Sequence, residues 1–248
     1  MIIYCNYFSD PKIKRREEYL YCLDKNQSLD FVKKVYVFLE SESDQDDILN
    51  TDKLEFIVLG RRMDFKDVFD HAQQHIEPGT ILAILNLDIF IEDNDAWRNI
   101  DRDFFQIGYP KKSMVLKRTD LLDFDGTTYI EKSSWEVGRF CDGWVFKSPI
   151  ESEFLNENFN FCVGGAPYCD NLMMYLMTKH YHTYSWGAKY RTFHVDICRK
   201  PGRPGLMVRN EKTDYRAQER KKEHARIPAY QDWDFLLENQ QQPNFILF

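Results

Sequence analysis

The chain has 248 residues, of which 43% are hydrophobic and 15% aromatic, and it carries a net charge of −7. That composition supplies the core of one large domain and excludes extended disorder. The acidic balance excludes a general nucleic-acid binder, although 33 basic residues leave room for a local anion site.

The six cysteines are scattered without a CxxC pair. This is the pattern of reduced thiols in a cytosolic protein, not of a disulfide frame or a zinc site. The opening MIIYCNYFSD is too short and lacks the basic flank of a signal peptide, and no later stretch approaches the ~20 apolar residues of a membrane span.

In chain order, Ile2–Phe8 reads as a first strand, closed by Ser9, Asp10 and Pro11. Arg15–Asn26 follows with a helical apolar stripe, and Lys34–Glu40 reads as the second strand. An acidic loop, SESDQDD, precedes a third strand at Leu54–Gly60. After Arg61, Arg62 and Asp64, the residues Phe65, Val68, Phe69, Ala72 and Ile76 recur at helical spacing until Pro78 and Gly79 end the helix.

The run Ile81–Glu92, ILAILNLDIFIE, is the most apolar stretch and reads as a central parallel strand buried on both faces. Asn86 and Asp88 interrupt it near its carboxyl end, where open α/β sheets hold ligands. A buried carboxylate there needs a cation, donors or water; a simple turn at Asp88 is the competing reading. Alternation of strands and helices over this half predicts an α/β fold with a mainly parallel sheet.

Further strands are expected at Met114–Lys117, Trp144–Phe146 and, after a short segment at Thr183–Trp186, Lys189–Ile197, the last placing His194 near its end. Gly164 and Gly165 lie in a loop before a helix that opens at Asp170, a plausible N-cap. From Arg199 the sequence RKPGRPG predicts an irregular loop, Arg216–Arg226 a charged surface helix, and the terminal segment a tail that docks back on the domain.

Five motifs then follow in order: NLD at Asn86–Asp88, LKRTD at Leu116–Asp120, CDGWVFKSP at Cys141–Pro149, VGGAPYCDN at Val163–Asn171 and FHVD at Phe193–Asp196. The set resembles nucleotide-sugar-dependent glycosyltransferases of the GT-A fold, in particular bacterial and large-virus members with an N-x-D-I motif. The resemblance covers residues 1–200 as one domain, with residues 201–248 as a loop and tail on it. It implies a Rossmann-like three-layer sandwich, a UDP-sugar as the expected donor, Mn²⁺ or Mg²⁺, and a glycan or glycoprotein acceptor in the cytosol. The Asn, Asp, Lys, Phe and Tyr content suits a large virus or another AT-rich genome.

The resemblance also implies roles for residues. Asp88 looks like the carboxylate of the DxD-type metal motif, with Asn86 in place of a first Asp and meeting ribose or water. His194 stands where relatives supply a second protein ligand, a pairing that suits Mn²⁺; the plain alternative is an ordinary core histidine. Asp170 resembles the base of inverting relatives, with Asp142 its rival or a holder of the donor sugar. Tyr4, Asn6 and Phe8 correspond to the nucleoside side, Arg62 to a cation near the nucleotide or sugar, and Lys200 and Arg203 to a lid over the diphosphate. Core packing for Tyr4 and Phe8, and exposed positions for Arg62, Lys200 and Arg203, are the competing readings. A sugar nucleotidyltransferase is disfavoured because Asn6–Lys14 lacks the glycine-rich loop such enzymes place after the first strand. An inactive relative that binds a glycan or nucleotide is the remaining alternative.

Overall fold

The computed structural model describes residues 1–121, 124, 129–131, 141–164, 169–185, 189–198 and 245–247. In chain order, β1 (Ile2–Tyr7), α1 (Ile13–Ser28), β2 (Lys34–Leu39), β3 (Leu54–Val58), α2 (Phe65–His75) and β4 (Ile81–Leu85) build the first half. The strands β5 (Ile89–Ile91), β6 (Lys112–Leu121), β7 (Tyr129–Glu131) and β8 (Cys141–Lys147) follow, with the short helix α3 (Asp95–Arg98) after β5. The remaining elements are α4 (Ser152–Leu155), α5 (Cys169–His180), β9 (His182–Ser185), β10 (Thr192–Val195) and β11 (Phe245–Leu247).

The main sheet runs in the order β11-β9-β6-β8-β4-β1-β2-β3. All of its neighbours pair parallel except at β8, which is antiparallel to both β4 and β6. The α/β class and mainly parallel sheet expected from the alternation are therefore present. Each strand side chain alternates between two faces. On β1, Ile3, Cys5 and Tyr7 enter one core with Tyr19 and Leu23 of α1, while Tyr4 enters the other with Phe65 and Phe69 of α2 and Met173 of α5. Helices thus cover both faces, giving three layers.

One expectation fails. Ile81–Glu92 is not a single strand: β4 ends at Leu85, and β5 leaves the main sheet to pair antiparallel with β10. The polar residues within the run explain the break, since Asn86 folds its carbonyl onto the Ile89 N–H at 3.1 Å in a tight turn. The acidic SESDQDD stretch is ordered as well. It forms a 3₁₀ turn over Glu42–Asp47 held by a capping box between Ser41 and Asp44. The surface helix expected at Arg216–Arg226 lies outside the described residues, whereas the terminal strand β11 adds to the sheet edge beside β9.

Candidate active site at the switch point of the sheet

The order β3-β2-β1-β4 reverses direction between β1 and β4, because β2 and β3 build outward on one side of β1 and β4 sits on the other. Crevices for ligands open at the carboxyl ends of strands at such a switch point. The last β1–β4 pair is Tyr4 with Ile84, so Asn6 and Asn86 each stand two residues beyond it, at the carboxyl ends of the two strands.

On the β1 side, Asn6 is buried and donates from Nδ2 to Glu40 Oε1 at 3.1 Å, while its Oδ1 accepts the Met63 N–H at 2.7 Å. This ties the loop after β3 to the end of β1 and sets Arg62 beside Phe8, its guanidinium carbon 5.9 Å from the ring centre. Arg62 Nε is buried without a hydrogen-bond partner among the described residues. Phe8 packs edge-on to Tyr19 at 5.4 Å and is 7% exposed. Tyr4 lies deeper, fully buried, stacked on Tyr36 at 5.3 Å with its hydroxyl 3.0 Å from His71 Nδ1. Its surroundings are those of a core residue.

On the β4 side, the backbone N–H of Asn86 reaches the Asp142 carbonyl at 3.0 Å, extending the β4–β8 ladder. The Asn86 side chain donates from Nδ2 to Asp142 Oδ1 at 2.8 Å, and its buried Oδ1 has no partner among the described residues. Gly164 covers this amide with φ +64°, and a Cβ there would stand 2.7 Å from Asn86 Oδ1. Only glycine suits both the left-handed backbone and the close approach. Asp170 lies in the first turn of α5, one residue inside the helix, where its Oδ1 accepts from the Cys169 thiol at 3.2 Å. Lys200 and Arg203 lie outside the described residues.

Asp88 and His194 are brought together. His194 Nε2 is 3.2 Å from Asp88 Oδ2, and its Nδ1 is 2.9 Å from Asp120 Oδ1. The pairing follows from topology, since β10 lies between β5 and β6, setting His194 opposite both Ile89 and Asp120. Asp88 Oδ2 also receives Arg15 Nη2 from α1. The Arg15 guanidinium further binds Glu18 at 2.5 Å, the Val195 carbonyl at 3.2 Å and the Tyr19 hydroxyl at 3.1 Å. Burial works against the Arg15 charge, but Asp88, Tyr19 and Glu18 more than offset it and hold the group firmly protonated. Burial pushes the Tyr19 hydroxyl up to about 12, so it stays neutral.

Arg15, Glu18 and Asp120 carry no role in the sequence reading. A signal for the first two existed: Arg15, Glu18, Cys22 and Asn26 fall on one stripe of α1, and Glu18 and Asn26 are buried. Charged residues on a buried helix face require partners elsewhere in the chain.

Among the described residues no group of three or more His, Cys, Asp or Glu side chains is arranged to hold a metal ion. A cation that bridges a diphosphate needs less, because hard divalent ions commonly take one or two protein ligands and complete their shell with phosphate and water. Two adjacent ligands of an octahedral ion at about 2.1 Å stand roughly 3.0 Å apart. The 3.2 Å between Asp88 Oδ2 and His194 Nε2 fits that pairing. Asp120 behind Nδ1 gives the outer carboxylate that orients a ligating imidazole.

The fold is a three-layer α/β sandwich with polar candidate residues at the carboxyl ends of β1 and β4. No family model matches the chain, and no curated protein matches it. Among solved structures it is similar to a mannosyltransferase from Pyrobaculum calidifontis in complex with GDP-Man and Mn²⁺, at 13% identity and TM-score 0.48 over 81% of this chain and 57% of that one. A second is GalNAc-T7 with UDP, GalNAc and Mn²⁺, at 9% identity and TM-score 0.48 over 84% of this chain and 45% of that one. A third is S. aureus TarS, residues 1–349, at 12% identity and TM-score 0.44 over 80% of this chain and 58% of that one. The chain thus spans about half the length of each of these proteins. No helix among the described residues is long and apolar enough to cross a membrane.

Proposed function

We propose that the chain is a glycosyltransferase of GT-A type that moves a sugar from a nucleotide-sugar, with a UDP-sugar the expected class, to a hydroxyl of a glycan or glycoprotein acceptor in the cytosol, with inversion. The observation that carries this reading is the Asp88–His194 pair, backed by Asp120, beside the carboxyl end of β4 at the switch point of the sheet.

In this reading Asn6, Phe8 and Arg62 take the nucleoside and its phosphates, and Asn86, whose amide holds Asp142 at 2.8 Å, meets ribose or water on the donor side. Asp88 and His194 would hold Mn²⁺ or Mg²⁺, which when bound neutralises charge on the departing diphosphate as a Lewis acid. Asp142, fixed by Asn86, orients a hydroxyl of the donor sugar. Asp170 accepts the proton of the acceptor hydroxyl on its carboxylate as that oxygen attacks the anomeric carbon.

The test is release of nucleoside diphosphate from a panel of nucleotide-sugars with Mn²⁺, with and without candidate acceptors. Release by the wild-type chain is expected to be metal-dependent and to fall about a hundredfold or more in Asp88→Asn. Full turnover by Asp88→Asn would falsify the assignment. Nucleotide binding without release from any donor would mark the chain as a binder rather than a transferase.

A further inference from the structure

The contact between Arg15 and Asp88 has no place in the reaction as proposed. Asp88 Oδ2, the atom that faces His194, is already the acceptor for Arg15 Nη2. A divalent cation on that oxygen would lie against a guanidinium, two like charges in a partly buried setting where screening is weak. Arg15 is not anchored by Asp88 alone. Glu18, fully buried, holds its Nη1 at 2.5 Å, the Val195 carbonyl accepts from the same nitrogen at 3.2 Å, and Tyr19 accepts from Nε at 3.1 Å. Glu18 is held in turn by the Cys198 N–H at 2.7 Å. These partners sit on Nη1 and Nε of one rigid planar group, so the Arg15–Asp88 contact opens either by the Asp88 carboxylate turning away from Nη2 or by the whole guanidinium shifting against Glu18, Val195 and Tyr19.

We infer that Arg15 is an intramolecular competitor for the divalent cation at Asp88: it neutralises the carboxylate when no cation is bound and must release that oxygen for one to bind. This rests on the cation reading above. The cation affinity of the free chain is low as a result. The competition also couples cation to donor, because an anionic diphosphate offers the released guanidinium a new partner, and any such linkage is reciprocal.

The experiment is titration of Mn²⁺ alone, followed by electron paramagnetic resonance, into the wild type, Arg15→Gln, Arg15→Lys and Asp88→Asn. Removing the charge in Arg15→Gln is expected to tighten Mn²⁺ binding about tenfold or more, while Arg15→Lys, which keeps the charge, stays near the wild type. Thermal melting without metal supplies an independent readout, with Arg15→Gln melting lower than the wild type because Asp88 loses its counter-charge. Equal or weaker Mn²⁺ binding by Arg15→Gln overturns the competitor role while leaving the cation site in place. If neither the wild type nor Arg15→Gln binds Mn²⁺, or Asp88→Asn binds it as well as the wild type does, the cation site itself is wrong and the inference falls with it. Should Arg15→Gln not fold, the guanidinium resonances of Arg15 in the wild type, followed during Mg²⁺ titration, report the same event: they shift if Arg15 leaves Asp88, and saturation with no shift overturns the proposal.

Discussion

Gly164 and Asn86 show how one backbone position sets the chemistry of a side chain. At φ +64° and with a built Cβ 2.7 Å from Asn86 Oδ1, Gly164 leaves space only for its own hydrogen. Alanine there costs about 1–2 kcal/mol in backbone strain and presses the amide away from Asp142. Gly164→Ala is therefore expected to lower the melting temperature by only a few degrees while weakening nucleotide-sugar binding about tenfold, since one misplaced hydrogen bond to a ligand costs on the order of 1–2 kcal/mol. Unchanged binding in a folded Gly164→Ala protein would remove Asn86 from the donor site.

At the scale of elements, the turn between β4 and β5 controls the site. Among the described residues no strand pairs with β5 on its α1 side; Asn26 of α1 satisfies that edge instead, donating from Nδ2 to the Ile89 carbonyl at 2.9 Å and accepting the Ile91 N–H at 3.0 Å. Asn26→Ala orphans both backbone groups and is expected to cost about 2–4 kcal/mol, measured as a shift in the urea midpoint. Because Val195 N–H binds the Asp88 carbonyl at 2.9 Å, loosening β5 also loosens Asp88. A loss below ~1 kcal/mol would show that the edge is solvated adequately without Asn26.

These elements also mark what the sequence could tell. The strand and helix alternation through Leu85 is plain because each segment carries its own period, 2 or 3.6. The departure of β5 from the sheet was not legible: Ile89, Phe90 and Ile91 are as apolar as Ile81–Leu85, and hydrophobicity does not say which partner strand receives a run. Asp88 and His194 stood out as polar residues at strand ends. Arg15 did not, because its partner lies 73 residues away and local spacing carries no record of a distant ion pair.

For the whole molecule, the switch-point topology divides labour between the two faces. The site gathers at the carboxyl ends of β1 and β4, while the α2 face is a closed aromatic core that includes His71 against Tyr36, ring centres 4.5 Å apart. Burial first, then the nearby His75, holds His71 below the ordinary histidine range, and its Nδ1 pairs with the Tyr4 hydroxyl. The unfolded chain binds this proton more readily. Stability from His71 is therefore present above the unfolded value of about 6.5 and lost as pH falls through and below it. Melting temperature is expected to drop between about pH 7.5 and about pH 5.5, and His71→Gln is expected to flatten that slope; an identical slope in both proteins would place the acid sensitivity elsewhere.

The central claim is that the site at the carboxyl ends of β1 and β4 binds a nucleotide through a divalent cation. Calorimetric titration of UDP, GDP and dTDP, each with Mn²⁺ and with chelator, tests it most directly. The account predicts that one nucleotide, UDP by expectation, binds with Mn²⁺ and much more weakly with chelator, and that Asp88→Asn removes the difference. Binding of none of the three under either condition would contradict the account at its base.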